Sequence, residues 1–465
     1  MCHDCVSEDF PTLTQQFASR LLECSRALLS GPARRNAAVL LADFLACLRA
    51  GAGRPGCPAT GWEDFANALR AGDSLAGRAG VTDASAAAAA AAAHTLDRDD
   101  IHWDAVTHPG SVVWPVVLGL GAEVGATGPQ VLAAAVAGYE ACVRMATFLG
   151  PQHRRWFHST ATAGTIGAAS AAAILLCPED GALANALGHA ISVIGGSAQC
   201  LGEHSGTQVF HRSHAVRSGI AAARAAADGL PATHLGFEGT GGLLAGPEPA
   251  ERARAALIDD RPAAIGTTSI RLYATAGWNQ AAAEAAAAQP RAALRESSEL
   301  AVHVHPAAAD VSSGPAACGR DRWWSLEWSV ATALVTADPQ VSPEAPVSDE
   351  AMRERLALTM VVVGDQPSPL TASVSLSAAG RPASTTAVSC PSGHYANPAS
   401  TEQLAAKWSR MNEASGWAAA TVLESICTDA LATADPASGR LGALLVGGGH
   451  ADQVSSSATR EGWSS

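Results

Sequence analysis

Two runs of small residues constrain the fold of this chain more than any other feature of its sequence. The stretch Ala84–His94 is almost entirely alanine, and residues 163–176 read AGTIGAASAAAILL, with small residues on every face and no charge. A helix that is apolar all round is buried, and small side chains let neighbouring backbones approach closely. Thr82 and Asp83 supply a helix start ahead of the first run. The two runs therefore predict buried, closely packed helices.

Helical stripes of apolar residues extend over much of the first half of the chain. From Phe10 to Leu29, apolar residues recur three and four positions apart, as on one face of a helix. Further helices are predicted over Ala37–Leu48, Trp62–Leu69, Gly128–Phe148, Gly181–Gln199 and Gln208–Leu230.

The pattern changes from about Arg261 onwards. Short segments predict strands over Glu299–Val304, Leu356–Val363, Thr371–Leu376 and Thr385–Val388. Helices are predicted among and after them over Ala281–Arg295, Trp323–Thr336, Thr401–Met411 and Ala414–Ala432. A chain of 465 residues is also too long for one simple core. We therefore predict a mainly α protein: a large all-helical domain over 1–265, a smaller α+β lid domain over 266–400, and a return to the helical domain over 401–465, ending in a loose tail.

Composition excludes several classes of function. Hydrophobic residues make up 48% of the chain and charged residues 16%, which is typical of a globular protein. The net charge of -13 argues against nucleic acid and acidic lipid as partners. The chain has a single lysine, Lys407, so Schiff-base chemistry, a pyridoxal-phosphate site or a P-loop would all have to use that residue.

The eleven cysteines indicate free thiols. Their number is odd, and only Cys2 and Cys5 are close in sequence, which is weak evidence for a metal site. No secretory leader is recognisable, and no apolar run reaches membrane-spanning length without interruption by glycine, charge or proline. We therefore expect a soluble, cytoplasmic protein without a membrane partner.

An acidic loop ahead of a helix is the strongest candidate for the chemistry of the chain. It holds four acids and two imidazoles within twelve positions: Asp97, Asp99, Asp100, His102, Asp104 and His108. His108-Pro109-Gly110 predicts a helix start, although Pro115 leaves open whether the helix restarts there. The loop could equally be a solvated acidic segment with one capping histidine.

A second histidine has the same kind of position. His158 stands just before a stretch rich in serine and threonine that leads into a buried helix. The positive end of a helix favours the neutral form of an imidazole, which makes the ring a usable base. Several helix N-termini in one cleft would also form a favourable binding site for a carboxylate.

With these residues in view, the chain resembles the MmgE/PrpD family, which includes 2-methylcitrate dehydratase, cis-aconitate decarboxylase and iminodisuccinate epimerase. The resemblance rests on four segments taken in order: DxDD and THPG in Asp97–Glu123, AGYE and the small-residue run in Ala137–Leu176, Phe210-His211 in Thr207–Gly219, and Lys407-Trp408 in Glu402–Trp408. It implies a large helical domain with a smaller α+β lid, a homodimer, no metal or organic cofactor, and a small-molecule carboxylate substrate.

The resemblance also suggests roles for individual residues. Asp97, His108 and His158 match the family's acid and its two active-site histidines. Four further positions depart from the family pattern: Gln208 and Arg271 stand where the family has lysines, Ile101 where it has threonine, and Trp328 where it has tyrosine. A neutral glutamine donates hydrogen bonds but no charge, so we expect a substrate that is less anionic than a tricarboxylate or is oriented differently.

The chemistry expected from these residues is proton transfer. One of His108 and His158 would remove a proton next to a carboxylate, and the other would act as the acid. Asp97 would orient one ring, as carboxylates do for catalytic imidazoles, and Arg271 would hold a substrate carboxylate. The remaining candidates for substrate contact are Gln208, Ile101, Trp328, His102 and His211, the last of which could equally serve packing.

Three functions remain open on the sequence alone. The first is a cofactor-independent lyase, a dehydratase or decarboxylase, acting on a small carboxylated substrate. The second is an isomerase, epimerase or cyclase of a biosynthetic pathway that uses the same pair of histidines. The third is a catalytically silent, dimeric binding protein.

Overall fold

A helical body forms the first part of the chain. The computed structural model describes residues 11–52, 54, 79–203, 205–243, 250–297, 299–310, 314, 319–378 and 381–412. The helices of the body are α1 (Leu13–Arg26), α2 (Gly31–Gly51), α3 (Ala79–His94), α4 (Gly110–Val124), α5 (Gly128–Arg154), α6 (Ser159–Leu176), α7 (Asp180–Ile191), α8 (Gln199–Gly202), α9 (Thr207–Ala227), α10 (Ala250–Ile258) and α11 (Ala264–Thr267).

Local sequence signals explain where several of these helices begin. Thr12 and Thr127 cap α1 and α5, each in a reciprocal capping box with a glutamine three residues later. The start of α4 follows Pro109, as predicted, and the helix continues through Pro115 without restarting. His158 is the N-cap residue of α6, also as predicted.

The two small-residue runs form buried helices, α3 and α6, which confirms the first expectation. Their close packing depends on residues without side-chain bulk: a Cβ on Gly219 of α9 would lie 2.5 Å from the Cβ of Ala168, and one on Gly167 would lie 2.9 Å from that of Cys142. Among the described residues, α5 and α6 are long and apolar enough to cross a membrane by length and composition. Their most apolar windows are 83% and 89% buried inside the protein, as in the core of many soluble proteins.

An α+β unit follows the helical body. Its elements are α12 (Gln280–Ala287), α13 (Arg291–Glu296), β1 (Glu299–Val304), α14 (Pro306–Asp310), α15 (Leu326–Thr336), α16 (Glu350–Thr359), β2 (Val361–Gly364), β3 (Ala372–Ala378) and β4 (Arg381–Val388), with 3-10 turns at Gly277–Asn279 and Gly319–Trp323. The strands form one sheet in the order β2-β1-β3-β4, in which only β1 and β2 are parallel. Alternate residues of β1 are buried in a core that also includes residues of α12 and α15 and is separate from that of the body.

The predicted elements of this unit need three corrections. The strand predicted over Leu356–Val363 is helical up to Thr359, and only its last part lies in β2. The helix predicted over Ala281–Arg295 is split, because the chain turns at Pro290 between α12 and α13. The helix predicted from Trp323 begins at Leu326, where Ser325 provides the cap.

The chain then returns to the helical body. Helix α17 (Thr401–Met411) packs on α2, and its Leu404 and Trp408 belong to the helical core. The side chain of Lys407 is fully buried and donates to Asp43 Oδ1 at 2.5 Å and to the carbonyl of Arg98 at 3.0 Å, so the lone lysine has a structural position. The predicted fold class, mainly α with a smaller α+β unit, is confirmed.

Some sequence predictions lie outside the described residues. They are the Cys2–Cys5 pair, the helix over Trp62–Leu69, the helix over Ala414–Ala432 and the loose C-terminal tail. The domain boundaries at 265 and 400 remain predictions.

Candidate active site

The loop between α3 and α4 is buried. Asp97, Asp99 and Asp100 are 8%, 2% and 4% exposed, so the alternative of a solvated acidic loop is wrong for these three residues. Ile101 fixes the loop in place by exchanging backbone hydrogen bonds with Ser269, at 2.9 and 2.8 Å. The charges of the loop therefore need partners from inside the protein.

Arg271 is the main partner of two of these acids. Its Nη1 donates to Asp97 Oδ1 at 2.6 Å, its Nη2 to Asp99 Oδ1, and its Nε to the carbonyl of Asp99 at 2.8 Å. Burial acts to raise the pKa of Asp97, but the nearby charge of Arg271, followed by that of His94, lowers it below the usual value. Asp99 has a pKa well below its usual value for related reasons, since His94, His108 and Arg271 all offset its burial. Both carboxyl groups are therefore ionised at neutral pH.

The position of Asp97 corrects one expectation. Its carboxylate hydrogen-bonds Arg271 and the indole of Trp323, which donates to Oδ2 at 3.2 Å. Nδ1 of His94 lies 3.9 Å from Oδ1, which is too far for a hydrogen bond. Neither His108 nor His158 is hydrogen-bonded to Asp97, so this residue does not orient a catalytic ring as predicted.

A backbone carbonyl orients His108 instead. Nδ1 of this half-buried ring lies 2.6 Å from the carbonyl oxygen of Asp100. Because a carbonyl can only accept, Nδ1 carries the proton, and Nε2 is left with a free lone pair. Burial and then the charge of Arg271 lower the pKa of His108 to about 3. The ring is therefore neutral at neutral pH, in one defined tautomer.

Hydrogen bonds to the carboxyl group of Asp100 fix the residue whose carbonyl orients His108. It accepts from the backbone N–H of Gly110 at 3.0 and 3.1 Å and from the hydroxyl of Tyr139 at 2.7 Å. A Cβ on Gly110 would lie 2.5 Å from Asp100 Oδ2, so this helix start requires glycine. Burial, with the charge of Asp99, raises the pKa of Asp100 to about 7.

His158 is paired with a second imidazole. Its Nδ1 lies 3.1 Å from Nδ1 of His211, and both rings are buried. Burial, with the charge of Arg212, lowers the pKa of His211 to about 4 and that of His158 well below its usual value. Two neutral rings that face each other through Nδ1 must be opposite tautomers, because one nitrogen donates and the other accepts. The proton of His158 is thus on Nε2 when that of His211 is on Nδ1.

His108 and His158 line the same cavity, of about 130 Å³. The other residues of its wall come from the body, the loop and the α+β unit: Asp97, Ile101, Val106, Arg154, Phe157, Ser159, Thr160, Leu201, Gln208, Arg212, Arg271, Gly277, Trp278 and Trp324. A larger cavity of about 620 Å³ shares Asp97, Gln208 and Trp324 with it. The α+β unit thus contributes to the cover of a small cavity between the two histidines.

The other candidates from the sequence are divided between the cavity and the protein interior. Ile101, Gln208 and Arg271 line the cavity, and His211 supports His158 from behind. Two candidates for substrate contact are corrected. His102 does not line the cavity; it is buried against Thr267, with Nε2 3.2 Å from the hydroxyl.

Trp328 is the second of these corrections. It is 3% exposed in the core of the α+β unit, where the guanidinium of Arg322 lies 3.7 Å from its ring centroid. Phe157, Trp278 and Trp324 provide aromatic side chains to the cavity wall instead.

Sequence reasoning also missed residues. His94, which was not among the candidates from the sequence, hydrogen-bonds Asp99 at 2.8 Å and has its ring centroid 5.8 Å from that of His108. Arg212 lines the cavity and is 1% exposed, but it was given no role. The available signal was its spacing: Arg212 follows Gln208 by four residues and so lies on the same face of a helix.

Among the residues that the structure describes, two groups of donor atoms are close enough together to hold a metal ion. They are His158, Cys200 and His211, and His94, Asp97 and Asp99. In the second group Arg271 already forms ion pairs with both carboxylates. In the first, the charge of Arg212 acts on all three side chains and opposes a cation, and the two Nδ1 atoms already hydrogen-bond each other. Hydrogen bonds and ion pairs within the protein therefore explain why the donor atoms of each group lie close together.

Buried, neutral imidazoles around a small cavity define a site suited to proton transfer. The family model of the MmgE/PrpD N-terminal domain matches residues 15–253 of this chain. The chain therefore belongs to the MmgE/PrpD family, whose members are generally enzymes, dehydratases among them. No curated protein matches the chain.

Proposed function

We propose that this protein is a cofactor-independent lyase that eliminates water or carbon dioxide from a small carboxylated substrate, with His108 as the general base. The observation that carries the proposal is the hydrogen bond from His108 Nδ1 to the carbonyl of Asp100, because it leaves Nε2 unprotonated in a ring that lines the cavity. Membership of a family that contains dehydratases supports the same class of reaction.

The low pKa of His108 keeps the ring neutral but also makes it a weak base in the empty site. A substrate carboxylate placed in the cavity adds a negative charge near the ring, which stabilises the imidazolium and raises this pKa. The base therefore becomes effective when the substrate is bound.

His158 would act as the acid. In the tautomer that accepts from His211, it carries its proton on Nε2. His108 removes the proton from the carbon next to the substrate carboxylate, and the electron pair of that C–H bond forms the alkene as the C–O bond of the neighbouring carbon breaks. The leaving hydroxide takes the proton of His158 and departs as water. Solvent then restores the two protonation states, so the net change is the loss of one water.

The same geometry supports an isomerase as the second candidate. The His158–His211 pair can hold its shared proton on either side. When that proton is on His211, Nε2 of His158 carries a proton that it can deliver to carbon, and when it is on His158, Nε2 is free to accept one. Removal of a proton by one histidine and delivery of a different proton to the same carbon by the other changes the configuration of the substrate without elimination. In that case the substrate would exchange hydrogen with the solvent and no alkene would form.

The test is an assay of alkene formation and of deuterium incorporation from D₂O. The substrates are 2-methylcitrate, cis-aconitate and a panel of small hydroxycarboxylates, monitored by ultraviolet absorbance and product mass. His108→Ala and His158→Ala should each lower the rate by about 10²–10⁴-fold, the usual contribution of one positioned acid or base. The matched control is His214→Ala, an exposed histidine on α9, which should keep the activity.

Each outcome has a defined meaning. A new alkene, or a product mass lower by one water or one carbon dioxide, supports the lyase, and deuterium incorporation with neither change supports the isomerase. Full activity in both His108→Ala and His158→Ala would show that the proposed mechanism is wrong.

A further inference from the structure

One face of α9 presents an amide and a guanidinium to the cavity. Gln208 and Arg212 are four residues apart on this helix, and both line the cavity beside His108 and His158. The guanidinium of Arg212 is held by its own helix, since Nη1 donates to the carbonyl of Gln208 at 2.8 Å. The two side chains therefore occupy fixed, adjacent positions.

Arg212 is a buried charge whose hydrogen bonds are incomplete. Its Nε lies 4.0 Å from Asp99 Oδ2, which is within range of an ion pair but too far for a hydrogen bond. Within the part of the chain that the structure describes, Nε of Arg212 and Oδ2 of Asp99 are both buried and have no hydrogen-bond partner. Burial lowers the pKa of Arg212 to about 10, so the group is still protonated at neutral pH.

Arg271, by contrast, has a hydrogen-bond acceptor for each of its three guanidinium nitrogens. It makes three hydrogen bonds to Asp97 and Asp99 and is thus committed to the acids of the loop. The sequence led us to expect that Arg271 would hold the substrate. Arg154 is another cation of the cavity wall, but it is only half-buried, so water screens its charge.

A buried guanidinium without a full set of partners is costly unless an anion completes them. A carboxylate is a suitable anion because its oxygens accept from guanidinium N–H groups in strong, charge-assisted hydrogen bonds. The neutral amide of Gln208, one turn away, can donate to the same carboxylate without adding a second charge. The cavity of about 130 Å³ restricts the ligand to a small molecule.

We infer that Arg212 and Gln208 form the binding site for the carboxylate of the substrate, and that the substrate is a small molecule with a single carboxylate at its buried end. This inference rests on the proposed function, because it assigns the substrate class of the same cavity. It replaces Arg271 with Arg212 as the residue that binds the substrate. The carboxylate bound there also provides the negative charge that strengthens His108 as a base.

The experiment measures the binding of small probes by calorimetry, without any need for turnover. Propionate is the carboxylate probe, propionamide its neutral counterpart of similar shape, and inorganic phosphate a different anion, all at constant ionic strength. The variants are Arg212→Gln and Arg212→Lys, with Arg217→Gln as matched control, since Arg217 is an exposed arginine on the same helix. Thermal unfolding of each variant verifies that it is folded.

Propionate should bind the unmodified protein more tightly than propionamide or phosphate. Arg212→Gln should weaken propionate binding about 10–100-fold, as expected for the loss of a hydrogen bond to a charged group, with Arg212→Lys intermediate. Arg217→Gln should bind normally, and Arg154→Gln should lose no more than a few-fold. Should Arg212→Gln fail to fold, Arg212→Lys and the comparison of propionate with propionamide still decide the question.

Two results would overturn the inference. One is a folded Arg212→Gln protein that binds propionate within about threefold of the unmodified protein, well short of the expected loss. The other is equal or tighter binding of propionamide or phosphate. His108→Ala separates this inference from the proposed function: it should bind propionate and lose turnover. Retained turnover in that variant, with propionate binding lost in Arg212→Gln, would refute the function and keep the binding site.

Discussion

Replacement of Asp100 by asparagine should remove part of the pH dependence of the free energy of unfolding. The pKa of this buried carboxyl group is raised from 3.8 to about 7, so the folded protein holds its proton where the unfolded chain has lost it. Stability contributed by such a group is fully present below the unfolded pKa and is lost as the pH rises towards the folded pKa. At pH 8 the buried carboxylate therefore acts against folding, whereas asparagine cannot ionise.

The size of the effect follows from the same values. The increase from 3.8 to about 7 is roughly three pKa units, and at about 1.4 kcal/mol for each unit the cost at pH 8 is up to roughly 4 kcal/mol. Asparagine keeps an acceptor for the N–H of Gly110, and the hydroxyl of Tyr139 can accept from its amide. The hydrogen bond that orients His108 uses the backbone carbonyl of residue 100 and is unaffected.

The assay is urea unfolding of both proteins at pH 4 and pH 8, at one protein concentration. The lowered pKa values of histidines such as His102 and His108 impose an opposite dependence, because between about pH 3 and 6.5 the unfolded chain binds protons that the folded protein does not. This contribution is common to both proteins and cancels in the difference between them. Asp104→Asn, at an exposed position of the same loop, controls for the substitution itself. A stability difference between Asp100→Asn and the unmodified protein that stays constant between the two pH values would refute the reasoning.

Two further predictions concern the helical core. Lys407→Met leaves Asp43 buried without its cation and should lower the free energy of unfolding by about 3–5 kcal/mol, measured with urea. Arg410→Met removes a partly exposed ion pair with Asp338 and should lower it by no more than about 1 kcal/mol. Equal losses in the two variants would show that burial does not decide the outcome. Gly219→Ala places a methyl group 2.5 Å from the Cβ of Ala168 and should destabilise by about 1–3 kcal/mol, as overpacking does. Gly181→Ala, where a Cβ has nothing within 4 Å, is the matched control, and a loss as large as that of Gly219→Ala would contradict the packing argument.

Local features of the sequence were enough to predict much of the fold and part of the site. The small-residue runs and the helix starts at Pro109 and His158 depend on a few neighbouring residues, and these features lie where the sequence predicted them. The partners of the acidic loop could not be predicted in this way. Arg271 lies 174 positions from Asp97, and which acids it neutralises depends on how the α+β unit meets the loop.

The tautomers of the site histidines also could not be predicted from the sequence. For His108 the deciding partner is a backbone carbonyl, and every residue has one, so no side-chain pattern marks it. Trp328 was a candidate only because it stands where the resemblance places a tyrosine. Its burial in the core of the α+β unit depends on contacts between distant segments, which no local pattern marks.

The close packing of the core also sets the geometry of the site. His158 stands at the N-terminus of α6 and Arg212 lies on α9, and these two helices are held together where Gly219 meets Ala168. Gly219 is seven residues, or about two helical turns, from Arg212, so a change in the spacing there is transmitted along a rigid helix to the cavity. The small-residue runs that make the chain helical thus also fix the separation between the proposed acid and the cation proposed to hold the substrate. We therefore expect Gly219→Ala to weaken propionate binding as well as to lower stability.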